Sequence, residues 1–151
     1  MAKKFSFRLE PLLKLRANAV EQAKNALGIA HTNRVQKQEQ LRAKEDYLAE
    51  ILQSGANGKI PAMELEAGWH HRQVTQTEIR KLEQACQQLL EIEDLKRREL
   101  AEAMKEEKIL EKLKERKSIE YKEILAKEEQ AFLDEIGARR QGASGRFGDL
   151  G

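Results

Sequence analysis

Ser54-Gly55-Ala56-Asn57-Gly58-Lys59-Ile60-Pro61 decides how the chain is read, because it is the strongest break in 151 residues. Glycine and asparagine tolerate backbone conformations that end a helix, and proline has no N–H to continue one. Gly55 is placed to stop the helix before it and Pro61 to open the helix after it. A connection this short makes two long helices antiparallel neighbours.

Upstream of the break, Leu13, Val20, Leu27, Arg34, Leu41 and Leu48 recur at intervals of seven. Their companions are Arg16, Ala23, Ala30, Lys37, Lys44 and Ile51. A sustained seven-residue repeat keeps one stripe facing a partner helix, the condition for a coiled coil. The companion stripe is small or polar, so backbones can approach near Ala23 and Ala30. Lys37 and Lys44 can lay their methylene stems over the seam with the ammonium groups in water. Pro11 belongs in the first turns, with Ser6 a candidate N-cap.

Downstream, the clearest phase is Leu82, Leu89, Lys96, Ala103, Leu110, Lys117, Ile124 and Ala131. Ile79, Cys86, Ile92, Leu100 and Leu113 fall near it with slipped spacing, which predicts stutters in the supercoil. Gly68 weakens the early part of this helix by ~1 kcal/mol relative to alanine. Gly137 is its natural stop.

The expected fold is all-α: a long two-helix antiparallel coiled coil, or α-hairpin, with the second helix projecting beyond the first. Helix one is expected at about 7–53, the loop at 54–60 and helix two at about 61–136, together one hairpin over 1–137. The arms differ in length, about 70 Å against about 110 Å at ~1.5 Å per residue. The N-terminus should therefore pair near residues 105–110, leaving roughly 30 residues, Lys108 to Ile136, as a single helix that frays until a partner orders it. Residues 138–151, rich in glycine and without periodicity, are expected to be disordered.

Composition agrees with this plan. Charged residues are 36% and aromatics 5%, so large apolar side chains suffice for one narrow seam and not for a globular core. The 28 basic and 26 acidic residues nearly cancel, which suits a charge-laced helix surface and argues against a nucleic-acid partner. Cys86 is the single cysteine, so no intramolecular disulfide can form, and it reads as a small apolar residue of the seam. The basic opening has no apolar stretch behind it, and nothing approaches the ~18 apolar residues of a membrane span. The expectation is a cytoplasmic protein without direct membrane insertion.

No catalytic constellation emerges. The carboxylates lie along exposed helix faces where no cleft would tune them. His70 and His71 point about 100° apart on a helix, and Cys86 lies more than four turns from them, so no metal or cofactor is expected. No phosphate-cradling glycine loop or nucleophile elbow is present. Trp69, beside Leu65, either packs on Ile51 or Leu52 to close the hairpin tip or anchors a partner. Lys105, Lys108, Lys112 and Arg116 follow helical spacing, as a solvated face or a strip that reads acidic loops. Phe5, Phe7, Leu9, Leu12, Leu13 and Leu15 hold more apolar matter than a two-helix seam can cover, and an uncovered apolar patch marks an interaction site.

The same ends carry a family pattern. Phe5-Ser-Phe-Arg-Leu-Glu-Pro-Leu-Leu-Lys-Leu-Arg16, followed by Glu21 and Ala23, resembles the opening of the flagellar export protein FliJ family. Lys112-Leu-Lys-Glu-Arg-Lys117, then Glu120-Tyr121 and Leu133-Asp-Glu-Ile136, resembles its C-terminal helix, so the likeness covers about residues 3–140. It implies a component of the flagellar type III export apparatus, shaped like a rotary ATPase's central stalk and peripherally associated with the inner-membrane machinery. The implied partners are the export ATPase hexamer, the cytoplasmic domain of the export gate and export chaperones. By resemblance the ATPase contacts fall on Phe5, Phe7, Arg8, Leu12, Leu15, Arg16, Leu113 and Arg116, and the gate contact near Trp69, Arg72 and Gln73. An elongated monomer is expected when free. The competing readings are a stalk of another rotary ATPase or an injectisome, and a passive homodimeric scaffold.

Overall fold

A computed structural model describes residues 4–56 and 62–148. The side chains of 55, 56, 62, 63, 65 and 143–148 fall outside that description, as does the connection at 57–61, on which most of the expected loop falls. The described residues form two helices: α1, Glu10–Ala56, of 47 residues, and α2, Ala62–Gly148, of 87. They pack against one another as an α-hairpin coiled coil. The chain divides into two compact units, Asn18–Met104 and Met1–Ala17 with Lys105–Gly151.

The α1 seam lies where its repeat puts it. All twelve positions of the two stripes, from Leu13 to Ile51, are buried or half-buried, with Val20 and Ala30 each 6% exposed. The α2 seam follows a cleaner rule than the slipped one expected. Arg72, Ile79, Cys86, Glu93, Leu100, Glu107, Lys114 and Tyr121 are seven apart, and every one is buried or half-buried. The residue that keeps the interval is Glu93, 1% exposed, while Ile92 is 45% exposed and off the seam. No stutter is needed there: a charged residue holds the place at which an apolar one was sought. The phase through Leu82, Leu89, Lys96, Ala103 and Leu110 holds, whereas Lys117, Ile124 and Ala131 are exposed.

In the Asn18–Met104 unit, Arg34 meets Glu93 and Lys44 meets Glu78, so α2 descends as α1 ascends. Cys86 is a free thiol buried in this seam, behaving as a small apolar side chain.

The helix ends depart from expectation in three ways. Residues 4–7 are not helical and α1 begins at Glu10, where the Glu10 amide donates to the Phe7 carbonyl at 3.1 Å and the Leu13 amide to the Leu9 carbonyl at 2.9 Å. Ser6 is therefore not the cap, and Pro11 sits in the first turn, where a missing N–H costs least. At the other end α2 runs through Gly137 to Gly148, with no glycine among the described residues at positive φ. A glycine lowers helix stability by ~1 kcal/mol but ends a helix only by turning left-handed. Ala138, Arg139, Arg140 and Gln141 are good helix formers, and Arg139 pairs with Glu135 at 3.1 Å one turn back.

Candidate partner-binding sites

The first site belongs to the terminal unit, residues 4–17 with 105–148. Chain 4–9 lies as a strap along α2. Phe7 is 9% exposed, and the Phe5 ring meets the Tyr121 ring at 5.7 Å and 45°. The Glu10 carboxylate accepts from Lys114 Nζ at 2.8 Å, and Glu106 accepts from Arg16 Nη1 at 2.6 Å. Each pair is about 40% exposed and contributes up to ~1 kcal/mol, less in salt. The strap reaches α2 as far as Tyr121, beyond the expected limit near 105–110, because the chain ahead of Glu10 leaves the helix and runs on along α2; Ile124 lines the same groove but stays exposed. Past Ile124, Phe132 and Leu133 stand 62% and 59% exposed.

The residues carried over from the resemblance therefore divide by role. Phe5, Phe7, Leu113 and Arg16 hold the strap and α1 against α2. Arg8 and Arg116 are exposed, and Leu12 and Leu15 are 36% and 64% exposed. Leu15 lies about half a turn from Leu13 and so faces away from the seam. Lys105, Lys108, Lys112 and Arg116 are all exposed and, among the described residues, carry no ion pair. Ile109 and Ile119, 59% and 51% exposed, share that outer face.

The second site is the start of α2. Trp69 is 59% exposed and Leu52 46%, so Trp69 is not buried at the end of α1, the first of its two expected placements. Gly68, seven residues before buried Thr75, takes the seam position and leaves Trp69 outside it. Arg72 is half-buried, with Nε donating to the Gly68 carbonyl at 3.4 Å, and Gln73 is exposed. The helices are joined here instead by Tyr47 and His71, whose Oη and Nε2 lie 2.9 Å apart with the rings edge-on. Lys44 adds a contact 5.9 Å above the Tyr47 ring and a 2.8 Å bond to Glu78, which raises the lysine and lowers the glutamate pKa.

A third feature is one the sequence reading missed. Glu93 accepts from Arg34 Nε, from His31 Nδ1 at 3.0 Å and from Arg97 Nη2 at 3.1 Å. His31 Nδ1 also lies 3.3 Å from Arg34 Nη2, so the imidazole bridges the carboxylate and the guanidinium. The Arg34 and His31 hydrogen bonds hold the Glu93 carboxyl below its ordinary 4.5 against the opposing effect of burial. A buried charge persists only when paired in this way. The signal was available: the interval from Ile79 and Cys86 lands on Glu93, opposite a seam arginine on α1.

Among the described residues, no three of His, Cys, Asp and Glu lie close enough to hold a metal ion. No described helix is long and apolar enough to cross a membrane.

A sequence profile described as Flagellar FliJ protein matches residues 5–146, nearly the whole chain. The chain belongs to the FliJ family. The match spans both the strap of this FliJ-family chain and the α2 segment it covers, and it places the protein's function in flagellar export. No curated protein and no solved structure matches it.

Proposed function

We propose that this FliJ-family chain is a non-catalytic, stalk-like component of flagellar export that binds the export ATPase ring and promotes its assembly or activity. The supporting observation is the exposure of Arg8, Leu12, Leu15 and Arg116 on the strap, on the start of α1, which the seam and two ion pairs hold against α2, and on α2 itself. Apolar side chains without an internal partner, bordered by unpaired cations, are the make-up of an interaction surface. Trp69, exposed with Gln73 beside half-buried Arg72, serves as the contact for the export gate's cytoplasmic domain, and export chaperones are further partners. The protein acts in the cytoplasm, peripherally attached to the inner-membrane apparatus through these contacts.

The test is a titration of the purified cognate export ATPase with this chain, following ATP hydrolysis and ring assembly together. Stimulation or assembly that saturates with added chain supports the proposal. An ATPase indifferent to the folded chain in both readouts refutes it.

A further inference from the structure

The strap and α2 enclose an open groove of about 650 Å³ in the terminal unit. Phe5, Phe7, Leu113, Tyr121 and Ile124 form its apolar walls. Lys4, Arg8 and Lys117 stand at its margin. Lys117 is neutralised by Glu120 at 3.4 Å, while Lys4 and Arg8 are exposed and have no ion pair among the described residues.

Two hydrogen-bonding deficits meet in this groove. The Tyr121 hydroxyl is shielded from solvent and has no partner, which is rare in folded proteins because an unpaired buried polar group costs ~1–3 kcal/mol. Among the described residues, the backbone–backbone bond outside a helix at residues 4–8 is the one the Phe7 carbonyl accepts, so the amides of Phe5, Ser6 and Phe7 have no backbone partner among those residues. Non-helical chain whose amides are not engaged by other described residues can pair with the backbone of a second segment.

We infer that the groove binds an extended peptide segment of a protein partner, with an apolar residue flanked by carboxylates. The apolar side chain enters beside Phe5 and Ile124, and the carboxylates meet Lys4 and Arg8. A backbone carbonyl of the segment supplies the acceptor that Tyr121 Oη lacks, with a shift of the Phe5 ring. Charge selects this occupant: a basic or neutral segment would leave both cations unpaired and add nothing to them. The inference rests on the reading of the terminal unit as the partner-binding part of the chain, and gives the chemistry of the partner it takes.

The probe is a fluorescein-labelled octapeptide with a Leu-Phe pair flanked by Asp and Glu, titrated with the full chain and followed by anisotropy. A companion peptide carries Asn and Gln in place of the acids. Saturable binding is expected for the acidic peptide, about tenfold weaker for the amide companion and for Lys4→Gln/Arg8→Gln, the scale of losing charge-assisted contacts. Raising salt to about 0.5 M weakens it likewise. Tyr121→Phe is the discriminating variant. It removes a hydroxyl that has no partner, so the melting temperature holds or rises by about 2 °C, while binding falls about fivefold.

No saturable binding, or binding unchanged in both Tyr121→Phe and Lys4→Gln/Arg8→Gln, overturns the inference. Loss of binding in Lys108→Gln/Lys112→Gln with the groove variants unaffected also overturns it, by moving the acid-reading surface to the outer face of α2. ATPase stimulation measured on the same proteins separates the two claims. Stimulation without peptide binding removes the groove and leaves the stalk function standing; peptide binding without stimulation does the reverse.

Discussion

Replacing Ile79 and Ile92 separately by alanine tests where the α2 seam runs. The two share a side chain and a helix and lie 13 residues apart, but Ile79 is 8% exposed and Ile92 45%. Truncation to alanine removes three carbons, a loss of ~2.4 kcal/mol if fully buried at ~0.8 per carbon. Alanine's better helix propensity returns ~0.4 kcal/mol. The compactness of the unfolded chain trims the burial part further. Ile79→Ala should therefore cost about 2 kcal/mol, near the lower bound for core truncations because a two-helix seam can relax around the gap. Ile92→Ala, with roughly half the burial, should cost about 0.5 kcal/mol by the same reckoning. Urea melts followed by helical circular dichroism give both numbers. At ~2–4 °C per kcal/mol for a chain of this size, thermal melts should separate the variants by several degrees. If Ile92→Ala costs as much as Ile79→Ala, the seam passes through residue 92 and Glu93 is not its continuation.

Glu93 also predicts an acid response. Its carboxyl is held below the ordinary value of 4.5 in the fold, first by Arg34 and then by His31. A depressed folded pKa contributes stability that is present above the unfolded value and is lost as pH falls through the folded one. Wild-type melting temperature should thus drop below about pH 4.5, and Glu93→Gln should melt lower at neutral pH with a flatter acid slope; equal slopes in the two proteins would exclude this role for Glu93. Gly28→Ala and Gly68→Ala should each stabilise by ~1 kcal/mol, since both glycines are helical and a Cβ at either meets nothing within 4 Å; a loss of stability in calorimetry would reveal a contact there. Leu15→Asp should leave the melting temperature within about 1 °C, because the side chain is 64% exposed, yet weaken ATPase association at least tenfold in pull-down titrations.

Much of this fold was legible because a coiled coil writes its packing into a period. On α1 the interval was unbroken, and every seam residue from Leu13 to Ile51 could be named. On α2 the same rule misled at one place, because hydrophobicity was followed where spacing should have been. Ile92 looked like the seam residue, and Glu93 occupies it. Partners across the seam, Arg34 first and then His31, make a carboxylate acceptable there, and pairing between distant positions is not local information. Trp69 was read as packing on α1 or anchoring a partner from its place just past the loop, although Gly68 holds the interval. The strap was illegible for another reason: the chain ahead of Glu10 is not helical, so the reach of residues 4–8 to Tyr121 could not be computed from helical geometry. At the tail, glycine content was read as an end, while Arg139 and Glu135 continue the helix. For the candidate site, the resemblance picked out residues of two kinds without separating them. Burial separates them, assigning Phe5, Phe7, Arg16 and Leu113 to the framework and leaving Arg8, Leu12, Leu15 and Arg116 for a partner.

Site-specific photocrosslinking tests the central claim most directly. A photoreactive residue is placed singly at Leu15, exposed in the terminal unit, and at Ile29, equally exposed at 64% in the other unit, and each protein is mixed with the cognate export ATPase. A covalent product with the ATPase from position 15 and none from position 29 is the predicted result. Equal crosslinking from both positions, or none from position 15 while the chain remains folded, contradicts the account.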